Sequence, residues 1–303
     1  MGAAKRKRIQ LCICGSHKSA SECCLSFGRW HKKPAVVSLR TSRTINAIEN
    51  CYLSHLQSCE SPMSGEHLIS KSVISLLARG KGIEVSGLSW MPEGTSKFIG
   101  INSFTAKCLC KGHNSRLGTL DDAAAFFFSS LLASYENETE SRRFVVSGHD
   151  LERWLLKTIK AMAISGSLSD HSGPLTDQFA ADLDIASLLE GDQTWHSGMG
   201  LYFLRTDPNI AASNDKIGLW PWLNQNRRIE GAILNALGIN FSILLRPRIL
   251  NEDKHYRGNL YRPGAIKIDH PKAKHVIGIS WDDSLAHSKM IVVKPLAPVG
   301  DDV

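Results

Sequence analysis

The chain has 303 residues, a hydrophobic content of 43% and a formal net charge of +7, so it is long enough for two packed domains. It contains no run of about 18 apolar residues that would span a bilayer. Its basic start, MGAAKRKRIQ, lacks the apolar centre of a signal peptide. These features argue against a membrane protein, and we expect a soluble, cytoplasmic chain.

The charge is unevenly distributed along the chain. Residues 1–120 carry 17 Lys and Arg against 6 Asp and Glu, whereas the remainder carries 19 against 23. A basic N-terminal portion on a slightly acidic remainder predicts contact with a polyanion such as nucleic acid. The alternative is a solvated basic tail, since KRKR at residues 5–8 supplies four of these charges.

The first cysteine group is CICGSHKSASECC, which contains Cys12, Cys14, Cys23 and Cys24. Four thiolates within thirteen residues of an intracellular chain are typical of a tetrahedral zinc site. Gly15 and Ser16 allow a tight turn between the two ligand pairs. The spacing resembles the SEC-C zinc motif, in which Cys-x-Cys precedes a Gly-Ser step, a basic stretch and a Cys-Cys pair. This resemblance implies a structural zinc ion and a contact with nucleic acid or a protein partner.

The second group is spread over CYLSHLQSC at residues 51–59 and CLCKGHNSRLG at residues 108–118. The spacing predicts a second zinc site with one pair from each stretch, namely Cys51, Cys59, Cys110 and His113. Two alternatives stay open, because Cys108 can replace Cys110 and His55 can compete with Cys51 or Cys59. The following run, LGTLDDAAAFFFSSLLASY, predicts a helix from about residue 113 to 135.

GEHLISKS at residues 65–72, followed by LCKGHNSRLG, resembles the HNH endonucleases whose ββα-metal site is framed by two pairs of zinc ligands. Relatives carry a Glu-His-Ile-Ile-Pro step after one ligand pair, then Leu-Cys-x-x-Cys/His-Asn and Leu-Gly. The matching residues here are Glu66, His67, Cys110, His113 and Asn114. The resemblance covers roughly residues 50–135 and implies a treble-clef arrangement of zinc knuckle, β-hairpin and helix.

The resemblance also implies site roles. His67 is the general base that takes a proton from water, a role that suits a neutral histidine near neutral pH. Glu66 and Asn114 hold a catalytic Mg²⁺ or Mn²⁺ ion, for which oxygen ligands are suited. Asn102 is the candidate for the asparagine that orients the base from the second strand.

Three features depart from the family pattern. Ser70 stands where the family has proline, and a glutamate stands where aspartate is more frequent. His67 and Asn114 are 47 residues apart, which requires an insertion around residues 73–98.

A polar run at residues 137–143 predicts a domain boundary, followed by a helix capped by Asp150 or Ser147. Its apolar stripe consists of Leu151, Trp154, Leu155, Ile159 and Met162. Strands are predicted at residues 200–205, 240–246, 265–270, 275–281 and 290–296, with a helix from about 226 to 237. Tyr256 and Tyr261 lie in an arginine-rich segment and are candidates for base stacking, although a solvated loop is the simpler interpretation.

We therefore expect an α+β protein with three parts. These are a basic tail and SEC-C-like zinc motif (1–30), an HNH-like ββα-metal domain (45–136) and a mixed α+β domain with a mostly antiparallel sheet (144–303). The expected function is metal-dependent hydrolysis of phosphodiester bonds in DNA, or RNA, with two structural zinc ions. A non-catalytic, zinc-stabilised adaptor that binds nucleic acid or protein is the alternative.

Overall fold

The protein is described from a computed structural model. The structure describes residues 10–41, 45–78, 82–86, 88, 91–92, 95–170, 172–175, 179, 183–204, 209–210, 217–246 and 259–295. The predicted basic contacts at residues 5–8 and the stacking candidate Tyr256 lie outside the described residues. Within those ranges, none of the helices is both long enough and apolar enough to cross a membrane.

The N-terminal half combines short strands with two helices that follow them. Its elements are β1 Leu25–Ser26, β2 Arg29–Trp30, β3 Met63–His67, α1 Lys71–Leu77, β4 Ile83–Ser86, β5 Ser96–Ile99, β6 Thr105–Cys110 and α2 Lys111–Glu136. β3 pairs antiparallel with β6, and α2 starts at the residue after β6. The helix predicted at about 113–135 is thus confirmed. The expected insertion contains α1 and the hairpin formed by β4 and β5.

The C-terminal half is richer in strands. Its elements are β7 Arg143–Ser147, α3 Gly148–Ile164, β8 Ser169–Asp170, β9 Gly173–Pro174, α4 Ile185–Glu190, β10 Gly200–Phe203, β11 Asn209–Ile210, β12 Ile217–Leu223, β13 Ile229–Ala236, β14 Ile239–Leu244, β15 Leu260–Tyr261, β16 Ala265–Asp269, β17 Lys274–Ser280 and β18 Met290–Pro295. All five predicted strands are present. The polar run at 137–143 connects α2 to β7.

Two five-stranded sheets form most of this half. The first has the order β12-β13-β14-β10-β15 and is antiparallel throughout. The second has the order β11-β18-β16-β17-β7, and only β16 and β17 run antiparallel within it. The expectation of a mostly antiparallel sheet therefore holds for the first sheet, while the second is mixed. The protein therefore combines α-helices with one antiparallel sheet and one mixed sheet.

The helix predicted at about 226–237 is wrong, because these residues form the strand β13. Local composition favoured a helix, but β13 lies between β12 and β14 and pairs with both. Leu237 and Gly238 both have positive φ, which makes the two-residue turn to β14 a tight hairpin. At Gly231 a Cβ would approach the Ile243 carbonyl oxygen to 2.1 Å. Close strand pairing thus overrides local helix propensity here.

α3 lies at the centre of the molecule. Ser147 caps it by accepting a hydrogen bond from the Asp150 backbone N–H, and the predicted apolar stripe from Leu151 to Met162 is buried. Charged residues of the same helix, among them Glu152 and Lys157, are buried as well. Because α3 contacts α2, β6, β7, β10 and β14, it joins the ββα unit to both large sheets. Buried hydrophobic residues from both halves form one continuous core.

Candidate functional site

The first cysteine group converges as its spacing predicts. The sulfur atoms of Cys12, Cys14, Cys23 and Cys24 all lie within 4.8 Å of one another. Sγ of Cys23 is 3.5 Å from that of Cys14 and 3.6 Å from that of Cys24. Zinc–sulfur bonds of about 2.3 Å in a tetrahedron place sulfurs about 3.8 Å apart. This group can therefore hold a metal ion such as zinc.

The cysteine group is packed against the rest of the protein. Gly15 has a φ of +76°, and a Cβ at this position would come within 2.5 Å of the Phe126 ring on α2. Val145 of β7 packs against the buried cysteines and donates its backbone N–H to the Ile13 carbonyl at 3.3 Å. Burial opposes ionisation of Cys14, but hydrogen bonds involving Ser16 and the neighbouring thiols lower its pKa to about 6. A thiolate is the form that binds zinc.

The second group consists of Cys51, Cys59, Cys110 and His113, as predicted, and all four residues are buried. Nδ1 of His113 lies 3.4 Å from the sulfur of Cys51, 3.8 Å from that of Cys59 and 3.3 Å from that of Cys110. These distances also fit the edges of a tetrahedral zinc site. Of the two alternatives, Cys108 is buried outside the group and His55 is exposed.

Contacts behind the second group hold the histidine in place. Nε2 of His113 lies 3.2 Å from the Leu39 carbonyl and 3.0 Å from the Ser58 hydroxyl, so it can donate its proton while Nδ1 faces the thiols. Burial lowers the pKa of His113, and a neutral ring is the form that ligates metal. Cys110 ends β6, and its sulfur accepts the His113 backbone N–H at 3.4 Å. The group therefore fixes the point where α2 begins.

β3, β6 and the first turns of α2 bring His67 and Asn114 to one place. His67 is the last residue of β3, and Asn114 lies in the first turn of α2. Both line an open cavity of about 560 Å³, together with Glu66, Ser70, Asp121 and Asp122. The two predicted residues thus converge in spite of their 47-residue separation.

His67 has the properties of a neutral base. Its Nε2 atom is buried and lacks a hydrogen-bond partner among the described residues. Burial lowers the pKa of His67, and the positive charge of Lys71 lowers it further. A neutral imidazole has one ring nitrogen that can accept a proton, and His67 is among the residues that line the cavity.

Glu66 is bound by a residue that the sequence did not indicate. Its side chain is 3% exposed, and its Oε1 atom lies 2.7 Å from Nζ of Lys157 on α3. Burial raises the pKa of Glu66, with Lys157 opposing this shift. Lys157 also lies 2.6 Å from Oδ2 of Asp121 on α2. One buried ammonium group therefore joins two carboxylates at the cavity wall.

Ser70 extends this polar network. Its hydroxyl donates to Oδ1 of Asp121 and accepts a 2.7 Å hydrogen bond from Nε1 of Trp154 on α3. A proline at this position could make neither contact, since it carries no hydroxyl. The chain from Trp154 through Ser70, Asp121 and Lys157 to Glu66 is continuous, and we call it the Lys157 network.

Of the two predicted asparagines, Asn114 lines the His67 cavity and Asn102 does not. Nδ2 of Asn114 donates to the Ser64 hydroxyl at 2.8 Å, so the other end of the amide, Oδ1, is the acceptor available to a cation. Asn102 lies in the 3₁₀ turn Ile101–Ser103 before β6 and is exposed. The structure does not bring Asn102 to the His67 cavity.

The oxygen atoms at the cavity suit a hard cation such as Mg²⁺ or Mn²⁺. Glu66 and Asn114 are the residues that would hold it, although Glu66 shares its carboxylate with Lys157. Both carboxylate oxygens of Asp121 have protein partners. Among the described residues, the groups of three or more Cys, His, Asp or Glu whose donor atoms converge are the two cysteine clusters.

Asp121, Lys157 and Ser70 were missed as site residues. Asp121 follows Asn114 by seven residues on a predicted helix, so helical periodicity placed it on the same face. Lys157 gave no such signal, because its role depends on how α3 packs. Comparisons with protein-family models, curated proteins and solved structures found no match for this chain.

Proposed function

We propose that the protein is a metal-dependent endonuclease of the HNH type that hydrolyses phosphodiester bonds of DNA, with RNA as a second possible substrate. The observation that carries this proposal is the cavity that His67 and Asn114 both line in spite of their separation in sequence. His67 takes the proton from the attacking water, and Glu66 and Asn114 hold a divalent cation. When bound, the cation supplies charge stabilisation at the phosphate.

The fold around the cavity supports these roles. The antiparallel pair β3 and β6, followed directly by α2, has the ββα order that the HNH resemblance implies. The cluster of Cys51, Cys59, Cys110 and His113 fixes the junction of β6 and α2 and so positions Asn114. We propose that this cluster and the N-terminal cysteine cluster are structural zinc sites in a treble-clef and a SEC-C-like motif.

Charge favours nucleic acid as the substrate. The first 120 residues carry 17 basic against 6 acidic residues, and Lys71 stands at the cavity beside His67. Basic side chains around a site that acts on phosphodiesters attract the polyanionic substrate. The remaining part of the chain supplies Lys157 and Trp154 from α3, which contact the lining residues Glu66, Asp121 and Ser70.

The first test is cleavage of plasmid DNA by zinc-loaded protein with Mg²⁺ or Mn²⁺. His67→Ala should lower the cleavage rate about 10²- to 10⁴-fold, the usual contribution of a general base, and should leave the circular dichroism spectrum unchanged. His196→Ala is the matched control, because His196 is exposed and belongs to neither cluster. Equal cutting by the His67 variant would refute the catalytic role.

The same assay separates the adaptor alternative. An adaptor should bind DNA or RNA with an affinity that falls as salt rises, because Lys and Arg contacts release counterions. It should produce no cleavage with any divalent metal. Binding without cleavage by the unsubstituted protein would therefore favour the adaptor over the nuclease.

A further inference from the structure

Lys157 is a buried cation beside the proposed catalytic site. Its side chain is 3% exposed, and Nζ lies 2.7 Å from Glu66 and 2.6 Å from Asp121. It comes from α3, whereas Glu66 and Asp121 come from β3 and α2. The ammonium group thus contacts the carboxylate that would hold the divalent cation.

The single positive charge of Lys157 does not neutralise both carboxylates that it contacts. Two carboxylates face one ammonium group, so the ionised cluster has an excess of negative charge at the wall of an open cavity. Burial disfavours the charged form of Lys157, but Glu66 and Asp121 outweigh burial and raise the pKa of Lys157. The ammonium therefore persists at neutral pH and repels any cation that approaches Glu66.

We infer that Lys157 is a positioning residue that shares Glu66 with the divalent cation and thereby keeps cation binding at the His67 cavity weak. This inference rests on the cation-binding part of the proposed function. It assigns the C-terminal half a role at the site, because α3 delivers the competing charge. It also explains how the buried carboxylate of Glu66 stays stable when no divalent ion is bound.

Lys157→Met removes the charge and retains a side chain of similar length. The zinc-loaded full chain is titrated with Mn²⁺, and free Mn²⁺ is measured by electron paramagnetic resonance without nucleic acid. We expect the variant to bind one Mn²⁺ at least about tenfold more tightly than the unsubstituted protein, since a repelling charge in contact with the ligand is removed. Lys160→Met is the control, because Lys160 lies on the same helix over the Phe179 ring.

Thermal unfolding supplies a second readout. Without Mn²⁺, Lys157→Met should melt at a lower temperature, because the buried carboxylate of Glu66 and the partly buried carboxylate of Asp121 lose their partner. Added Mn²⁺ should restore much of this loss and should shift the control variant little. A variant that binds Mn²⁺ no more tightly and gains no stability from it would overturn the inference.

A double variant keeps the inference testable if Lys157→Met does not fold. Lys157→Met with Asp121→Asn removes one charge of each sign, so the net charge of the cluster is unchanged while Glu66 is freed. It should still bind Mn²⁺ more tightly than the unsubstituted chain. Unchanged affinity in this double variant would contradict competition for Glu66.

The outcomes also separate this inference from the nuclease proposal. If the unsubstituted protein cuts no nucleic acid but the Lys157 variants bind Mn²⁺ more tightly, the inference stands and the nuclease proposal fails. If the protein cuts DNA but the variants bind Mn²⁺ with unchanged affinity, the nuclease proposal stands and the role of Lys157 is refuted.

Discussion

Two buried charge networks attach to α3, and they differ in the groups that engage the buried carboxylate. Three members of the Lys157 network, Glu66, Ser70 and Asp121, line the His67 cavity. The second network is centred on Glu152, which is 0% exposed. In both networks a buried cation contacts acidic side chains. The networks differ in the kind of donor that holds the buried carboxylate.

Glu152 has several partners on different elements. Its Oε1 accepts from Nε of Arg262 and from the Leu201 backbone N–H, both at 2.8 Å, and its Oε2 accepts from Nη2 of Arg262 at 3.0 Å. Arg262 also pairs with Asp283 at 2.7 Å, and Asp283 lies 2.6 Å from His287. This network locks α3 to the strands that follow it.

The Glu152 network has the geometry of a structural ion pair, whereas the Lys157 network lies beside the proposed site. In the Glu152 network, bidentate geometry and backbone donors engage both carboxylate oxygens, which is what a stable buried ion pair requires. In the Lys157 network, Nζ of Lys157 contacts Oε1 of Glu66 and Oδ2 of Asp121, and these two carboxylates line the open His67 cavity. Arg262 also contacts two carboxylates and lines a cavity of about 590 Å³. The two networks therefore differ in donor geometry, because Glu152 is held by a guanidinium fork and a backbone N–H, whereas Glu66 is held by an ammonium group.

The largest expected effect on folding stability is in the Glu152 network. Arg262→Met should lower the free energy of unfolding by about 3–5 kcal/mol, because Glu152 is left buried without its cation. Urea unfolding measures this loss, and added Mn²⁺ should not reverse it.

Arg227→Met is the matched control for Arg262. Arg227 pairs with Asp170 in a similar fork geometry, but its side chain is 43% exposed. We expect this control to lose no more than about 1 kcal/mol. Rescue of Arg262→Met by Mn²⁺ would show that the Glu152 network also binds a divalent cation and is not purely structural.

The sequence predicted what depended on short spacing and local pattern. Cysteine spacing identified both clusters. Because one ligand pair of the second cluster precedes Glu66-His67 and the other precedes Asn114, the cluster also predicted that these two stretches meet. Lys157 could not be predicted, because it is 91 residues from Glu66 and reaches it only through the packing of α3. The strand β13 was mistaken for a helix because pairing on both sides, which no local window contains, decided its conformation.

A smaller effect is expected at Ser70 in the Lys157 network. Ser70→Ala should lower the free energy of unfolding by about 1–3 kcal/mol, because the Trp154 indole N–H and one Asp121 oxygen lose their partner in a buried setting. Ser134→Ala is the control, since that buried hydroxyl contacts only a helix carbonyl. Equal losses in both variants would mean that Ser70 adds nothing specific to the network.

The smallest expected effect is a shift in the pH dependence of cleavage. Burial lowers the pKa of His67 and Lys71 lowers it further, so the ring stays neutral at pH values where an ordinary histidine, with a pKa of about 6.5, becomes protonated. The acidic limb of the kcat/KM profile should therefore lie below pH 6.5.

Lys71→Gln should move that limb to higher pH, because removal of a nearby positive charge raises the pKa of His67. The rate at pH 6 should then fall more than the rate at pH 8, whereas loss of a simple substrate contact would lower both equally. Lys272→Gln, an exposed change in the bend between β16 and β17, should leave the limb in place. A limb that stays fixed in the Lys71 variant would mean that His67 is not the titrating base, and the proposed general-base role of His67 would then be refuted.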